Sequence, residues 1–284
     1  MGAVMRRVLF VGLMSQILVV SGCYGTAVCL RGALTDYKKS EQIQVAFEPG
    51  SKLVVRNEAG AVRISSDDGT ECRIAAKVYV HAPHKQEAQE IGEQVQIAAE
   101  PNNAILTVTV KRPPMPQNHR FVSVDLDILV PRQAHVDCKT EFGKIQLTGI
   151  EGNVKATTQF GSVICEKTQG ALDLGTQFGR VTGREIVSDR LVARTQFGSV
   201  DIACSKLCPQ EITAEVRAEW GKVRFKAPPD YQGAYRLDND SGAVRSALPM
   251  AGEGRVSRHQ IVGTTGSGKG NLRLSSEHGS VRLR

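Results

Sequence analysis

The sequence predicts an all-β fold, a β-solenoid of stacked two-strand coils, roughly 18–19 positions per coil, with one short helix near 84–98. Three observations predict it. A four-residue phrase returns at Thr140-Glu141-Phe142-Gly143, Thr158-Gln159-Phe160-Gly161, Thr176-Gln177-Phe178-Gly179 and Thr195-Gln196-Phe197-Gly198, so its glycine recurs at a near-constant interval. A unit this short cannot bury a face alone, so its copies must stack. Apolar residues Ile145, Val154, Val163, Leu172, Val181, Leu191 and Val200 recur at half that interval, so each repeat holds two strand-and-turn halves. Aromatic content is low at 5%, against 28 glycines, as suits strands and tight corners more than a large aromatic core.

From the N-terminus, Arg6 and Arg7 precede an apolar run from Val8 to Val20. That run is shorter than the roughly 20 residues needed to span a bilayer. Residues 1–22 therefore read as a secretory signal peptide. Its end, Val20-Ser21-Gly22-Cys23, resembles the lipobox of bacterial lipoproteins. That resemblance implies cleavage before Cys23, acylation of Cys23 and membrane anchoring, with no inner-membrane retention signal at Tyr24. Residues 23–40 are polar and aperiodic and read as a lipidated tether.

Residues 41–135 read as an N-terminal β segment with the short helix, and residues 136–284 as the repeat solenoid continuous with it. Gln42–Phe47 alternates, Pro49-Gly50 turns, and Asn57–Ile64 already carries the Gly-x-Val form of the repeats. Ala88, Ile91, Val95 and Ala98 fall at helical spacing. Strands are expected at Arg73–Val80, Ile105–Val110 and Val122–Val130. After Val200 the register loosens. Trp220-Gly221-Lys222-Val223 and the Gly242 phrase each arrive somewhat late for the interval. His278-Gly279-Ser280-Val281 lies about two coils beyond the Gly242 phrase.

This order of leading strand, Gly-x-Val, short helix, Val130-Pro131 strand end and repeated Gly-x-Val coils resembles the bacterial "putative adhesin" domain family over residues 43–284. The resemblance implies a β-solenoid body in the cell envelope and supplies no catalytic residue. The chain departs from the family in placing Phe or Trp before the repeat glycine.

Net charge is +7, and removing Arg6 and Arg7 with the signal leaves 7 − 2 = +5. Bases alternate with acids along the repeats, which reads as a solvated surface and not a nucleic-acid track. A weak attraction to acidic polysaccharide or anionic lipid stays open. Excluding Cys23, six cysteines remain, and outside the cytoplasm they are free to pair. Cys204 and Cys208 lie close enough to bridge across a turn, so a local disulfide and free buried thiols are both open.

Gly263–Lys269 matches most of a P-loop, but Gly270 replaces the magnesium-binding hydroxyl and a strand-like run follows where a helix is needed. No nucleotide, cofactor or metal is expected. Asp125 and Asp127 share one face of a strand and read as solvent-facing. Phe142, Phe160, Phe178, Phe197 and Trp220 would stack one per coil. If buried, they form an aromatic ladder; if exposed, a candidate binding stripe for sugars or a partner protein.

The expected function is a non-enzymatic, lipid-anchored envelope scaffold acting through its faces in adhesion or partner binding. The alternative is a carbohydrate-active solenoid enzyme of lyase or hydrolase type, which requires a groove of converging charged side chains. An envelope-stress sensor subunit is a third reading.

Overall fold

A computed structural model describes residues 35–114, 120–251 and 254–284. The expected signal peptide, Cys23 and the tether up to residue 34 lie outside the described residues. The described residues are predominantly β, with one helix. Strands β1 (Thr35–Ala46), β2 (Lys52–Ala59), β3 (Val62–Asp67) and β4 (Glu71–Ala82) precede α1 (Lys85–Gln94). After it come β5 (Gln96–Asn102), β6 (Ile105–Lys111) and β7 (Phe121–Pro131). The repeats supply β8 (His135–Phe142), β9 (Ile145–Thr148), β10 (Val154–Phe160), β11 (Val163–Glu166), β12 (Leu172–Phe178), β13 (Val181–Ile186), β14 (Arg190–Phe197) and β15 (Val200–Cys204). The C-terminal part holds β16 (Thr213–Lys226), β17 (Gly233–Asn239), β18 (Ala243–Ser246), β19 (Arg255–Val256), β20 (Gln260–Thr265) and β21 (Gly270–Leu283).

Two boundaries differ from expectation. β1 begins at Thr35, so residues 35–40 are not tether; they pair antiparallel with Ala82 to Lys77 of β4. The run shows little apolar alternation, which hides it in the sequence. Backbone pairing holds it, and the Tyr37 ring packs so closely on α1 that a Cβ at Gly92 would lie 2.3 Å from it. The helix stops at Gln94 and not at 98. Val95 is extended, and residues 96–102 pair antiparallel with β6, so the buried alternation of Val95 and Ile97 wins over the helical spacing.

In the repeats, the regular return of the phrase becomes parallel pairing. Val136, Val154, Leu172 and Leu191 align across β8, β10, β12 and β14. Ile145, Val163, Val181 and Val200 align across β9, β11, β13 and β15. These aligned residues are at most 2% exposed and form the core between the two ladders. Each such side chain contributes about 1.5–3 kcal/mol on burial. Isolated parallel bridges Glu151↔Gln169 and Gln169↔Val187 add a minimal third run per repeat.

The ends do not stack in chain order. β2 and β3 pair directly with β8 and β9, so residues 52–67 are the first copy of the repeat. β6 and β7 lie outside them in parallel, followed by antiparallel β5, β4 and β1. At the other end β21 inserts between β16 and β17, pairing in parallel with both. The spacing puts the His278 phrase about two coils beyond the Gly242 phrase. It lies instead between the Trp220 and Gly242 phrases, because β17 and β18 pair on the far side of β21. Antiparallel β20 and β19 follow β17.

Candidate binding surface

The repeated phrase is a corner between the two ladders. Its glycine is required by both conformation and contact. Gly143, Gly161, Gly179, Gly198 and Gly221 have φ between +151° and +156°. A Cβ at Gly179 would lie 1.9 Å from the Gly161 carbonyl oxygen of the neighbouring repeat. The threonine, whose role sequence reasoning missed, is buried. Thr158, Thr176 and Thr195 donate Oγ1–H to the carbonyls of Gly143, Gly161 and Gly179 at 3.1, 2.9 and 3.1 Å. The hydroxyl thus satisfies a corner carbonyl that water does not reach freely. Its fixed distance from the glycine within the phrase is the signal that could have revealed it.

The aromatic residue faces out. Phe142, Phe160, Phe178, Phe197 and Trp220 are 47, 44, 43, 46 and 51% exposed, so the stripe is not a core ladder. The phenylalanine rings still stack on one another, with centroids 5.0, 4.9 and 5.0 Å apart and planes within 5°. Phe197 stacks on Trp220 at 6.4 Å, and Trp220 on His278 at 3.8 Å. His278 is thus a sixth ring, missed by sequence reasoning because β17 to β20 separate it from Trp220 in the chain. Its Nδ1 lies 3.0 Å from Ser241 Oγ at that end. At the other end Phe142 pairs with Ala59, and the row of rings stops. Arg112 donates to the Ala59 carbonyl at 3.0 Å and lies 3.5 Å from Glu58. Ring faces are spent on each other, so ring edges form the exposed ridge.

Asp125 and Asp127 both face Arg63, at 3.6 and 2.8 Å, and Arg63 is held more basic chiefly by its hydrogen bond to Asp127. Among the described residues no group of three His, Cys, Asp or Glu side chains gathers as metal ligands. The P-loop-like turn is followed by strand β21 from Gly270, and no helix begins there. A shallow depression of about 450 Å³ is lined by Glu215, Arg217, Arg236, Asp238 and Arg273, with Arg236 on Asp238 at 2.7 Å and Arg217 on Glu277 at 2.6 Å.

Cys204 and Cys208 are both buried free thiols. A hydrogen bond between them raises the Cys204 thiol and lowers Cys208. Burial alone pushes Cys72 and Cys165 up to about 12. No helix among the described residues is long and apolar enough to cross a membrane.

No family model matches the chain, and no curated protein is significantly similar to it. Solved structures are similar at low identity. One is described as a putative cell adhesion protein from Clostridium sporogenes, at 12% identity and TM-score 0.35, covering 86% of this chain and 99% of that one. Another is a putative adhesin from Bacteroides fragilis, at 11% identity and TM-score 0.44, covering 87% and 97%. A third, from Parabacteroides distasonis, is described as a putative lipid binding protein, at 10% identity and TM-score 0.31, covering 86% and 96%.

Proposed function

We propose that this protein is a non-enzymatic, lipid-anchored component of the bacterial cell envelope. Its repeats form a solenoid of stacked coils whose aromatic ridge is the contact line for an envelope partner. The single observation that carries the reading is the ridge itself. Five large aromatic side chains, each more than two-fifths exposed, stand in one row on consecutive repeats. Exposed contiguous apolar surface of this kind marks interaction sites. Aromatic edges offer apolar area at low entropic cost, because stacking already holds the rings in place. The lipobox-like Cys23 supports an exported, anchored location, and two or more acyl chains would make that anchor stable.

Two experiments test the two halves separately. Cys23→Ser should move the protein from the membrane fraction to the soluble fraction; continued flotation with membranes would overturn the anchor. In the Cys23→Ser background, the soluble protein should still be retained by isolated envelope fragments. Phe178→Ser with Phe197→Ser should abolish that retention, and retention unchanged by the pair would overturn the ridge as contact line.

A further inference from the structure

A second face carries a charge pattern invisible in the linear sequence. In the second ladder, Lys222, Arg224 and Lys226 of β16 are all exposed, alternating with buried Val223 and Phe225. β21 places Arg282 directly beside Arg224, and β18 places Arg245 directly beside Arg282. Three arginines therefore stand in one row across adjacent strands, spaced by about 4.8 Å. Two lysines flank the row on β16. Like charges directly opposite one another destabilise a sheet. Here they are little relieved: on the outward positions of β15, of β16 after Gly221, of β21 after Gly279 and of β18, the one acid is Asp201. It pairs with Arg224 at 3.4 Å. Lys222, Lys226, Arg282 and Arg245 have no ion-pair partner among the described residues. Their outward neighbours Ser280 and Ala243 are small and leave the face flat.

We propose that this face binds a linear acidic polysaccharide, its carboxylates running along the arginine row. The form of the patch selects the ligand. The cations do not converge on a point, and the depressions lined by Glu215 and Arg217 and by Arg180 and Arg184 lie elsewhere, so the row itself encloses no single small anion. A row of solvent-facing, evenly spaced cations instead favours a polymer that engages several at once, each contact raising the effective concentration for the next. A bilayer is disfavoured because no large apolar side chain projects between these cations to enter lipid. Single-stranded nucleic acid needs open aromatic faces for its bases. The nearest rings, Trp220 and His278, spend theirs on each other and on Phe197.

The test is binding of fluorescent polygalacturonate to the full chain, with poly(dT) and vesicles of phosphatidylcholine and phosphatidylglycerol as competing probes. The expected result is saturable polygalacturonate binding that weakens as salt rises from about 50 to about 500 mM. Arg282→Gln with Arg245→Gln should weaken it by about tenfold or more. Lys139→Gln with Lys155→Gln removes the same charge from the exposed side of β8 and β10 and should weaken it by less than about twofold. Should the arginine pair melt early, Lys222→Gln with Lys226→Gln must show the same loss. Phe178→Ser should bind polygalacturonate as wild type does, which separates this face from the aromatic ridge. Equal losses in the patch and control variants would overturn the proposal. So would the absence of saturable binding, or preferential binding of the vesicles or of poly(dT).

Discussion

The middle of the molecule, β8 to β15, and its C-terminal end, β16 to β21, obey the same corner rule but different chain paths. In the middle, spatial neighbours are consecutive copies of the phrase, and sequence order equals stacking order. At the end, β21 slips between β16 and β17, and Trp220 meets the ring of His278 across the whole of β17 to β20 in the chain. The column of corner glycines continues regardless: a Cβ at Gly279 would lie 1.8 Å from Gly221 O, and one at Gly242 would lie 1.6 Å from Gly279 O. The lesson is that the corner chemistry, not the connection, makes a strand pair stackable. A returning strand that carries the phrase joins the column wherever it arrives. Every copy from β8 through β21 then faces a neighbouring copy on both sides.

The largest predicted effect strikes that column. Gly179→Ala puts a Cβ against backbone at 1.9 Å. It should cost about 4 kcal/mol or more, because neither backbone can yield without breaking the ladder. Gly279→Ala, in the returning strand, should cost a similar amount if the corner rule is common to both regions. Gly50→Ala, with φ +84° but nothing within 4 Å, should cost about 1 kcal/mol from backbone strain alone. Urea unfolding of the three variants checks the ranking; a mild Gly279→Ala beside a severe Gly179→Ala would show that the two regions differ in kind.

A smaller effect separates hydroxyl from shape. Thr176→Val removes the 2.9 Å bond to the Gly161 carbonyl and should cost about 1–3 kcal/mol, since an acceptor is left unpaired in a half-buried corner. In the Trp220 repeat the same position is Ala218, so Ala218→Thr should recover part of that stabilisation there. The aromatic ridge comes next. Phe178→Ala loses two stacked neighbours and should cost about 1–2 kcal/mol, well below the loss for a buried phenylalanine. Phe142→Ala loses one ring neighbour and should cost about half as much. Melts in denaturant decide both comparisons.

The last contrast concerns thiols and leaves stability untouched. Cys208 is held below the usual thiol range by its hydrogen bond with Cys204, whereas burial pushes Cys72 and Cys165 up to about 12. Because the thiolate is the nucleophile, alkylation near neutral pH should modify Cys208 first among the cysteines of the described residues, with Cys72, Cys138 and Cys165 reacting on unfolding. Peptide mapping by mass spectrometry reads the order. Its rate should rise with pH and level off earlier than for a free thiol. Prior labelling of Cys138 or Cys165 would contradict their burial in the core.

Much of this architecture is legible in the sequence because the phrase keeps residues of fixed role at fixed distance. The period turns Val154, Leu172 and Leu191 inward, and they are buried. Asn57–Ile64 has the form of an early copy of the repeat, and it pairs with β8 and β9. What is not legible depends on partners distant in the chain. Residues 35–40 have no apolar signature, so only pairing with β4 makes them a strand. His278 joins the ridge, and Arg245 and Arg282 join Arg224, only through the inserted β21. Charge scattered along the sequence thereby becomes charge clustered on a face. Period alone does not decide whether the phenylalanines are exposed, because it cannot tell an inward corner from an outward one. The burial of the neighbouring threonine, with the aromatic ring itself exposed, settles it.

Trp220 is the chain's single tryptophan and sits in the ridge, 51% exposed, so its fluorescence reports on the ridge without a label. The most direct test of the ridge as contact line is acrylamide quenching of Trp220 in the Cys23→Ser protein, with and without isolated envelope fragments. Ready quenching is expected in the free protein. Envelope fragments should protect Trp220, and Phe178→Ser with Phe197→Ser should remove that protection. Quenching unchanged by envelope fragments, or protection that persists in the double variant, would contradict it.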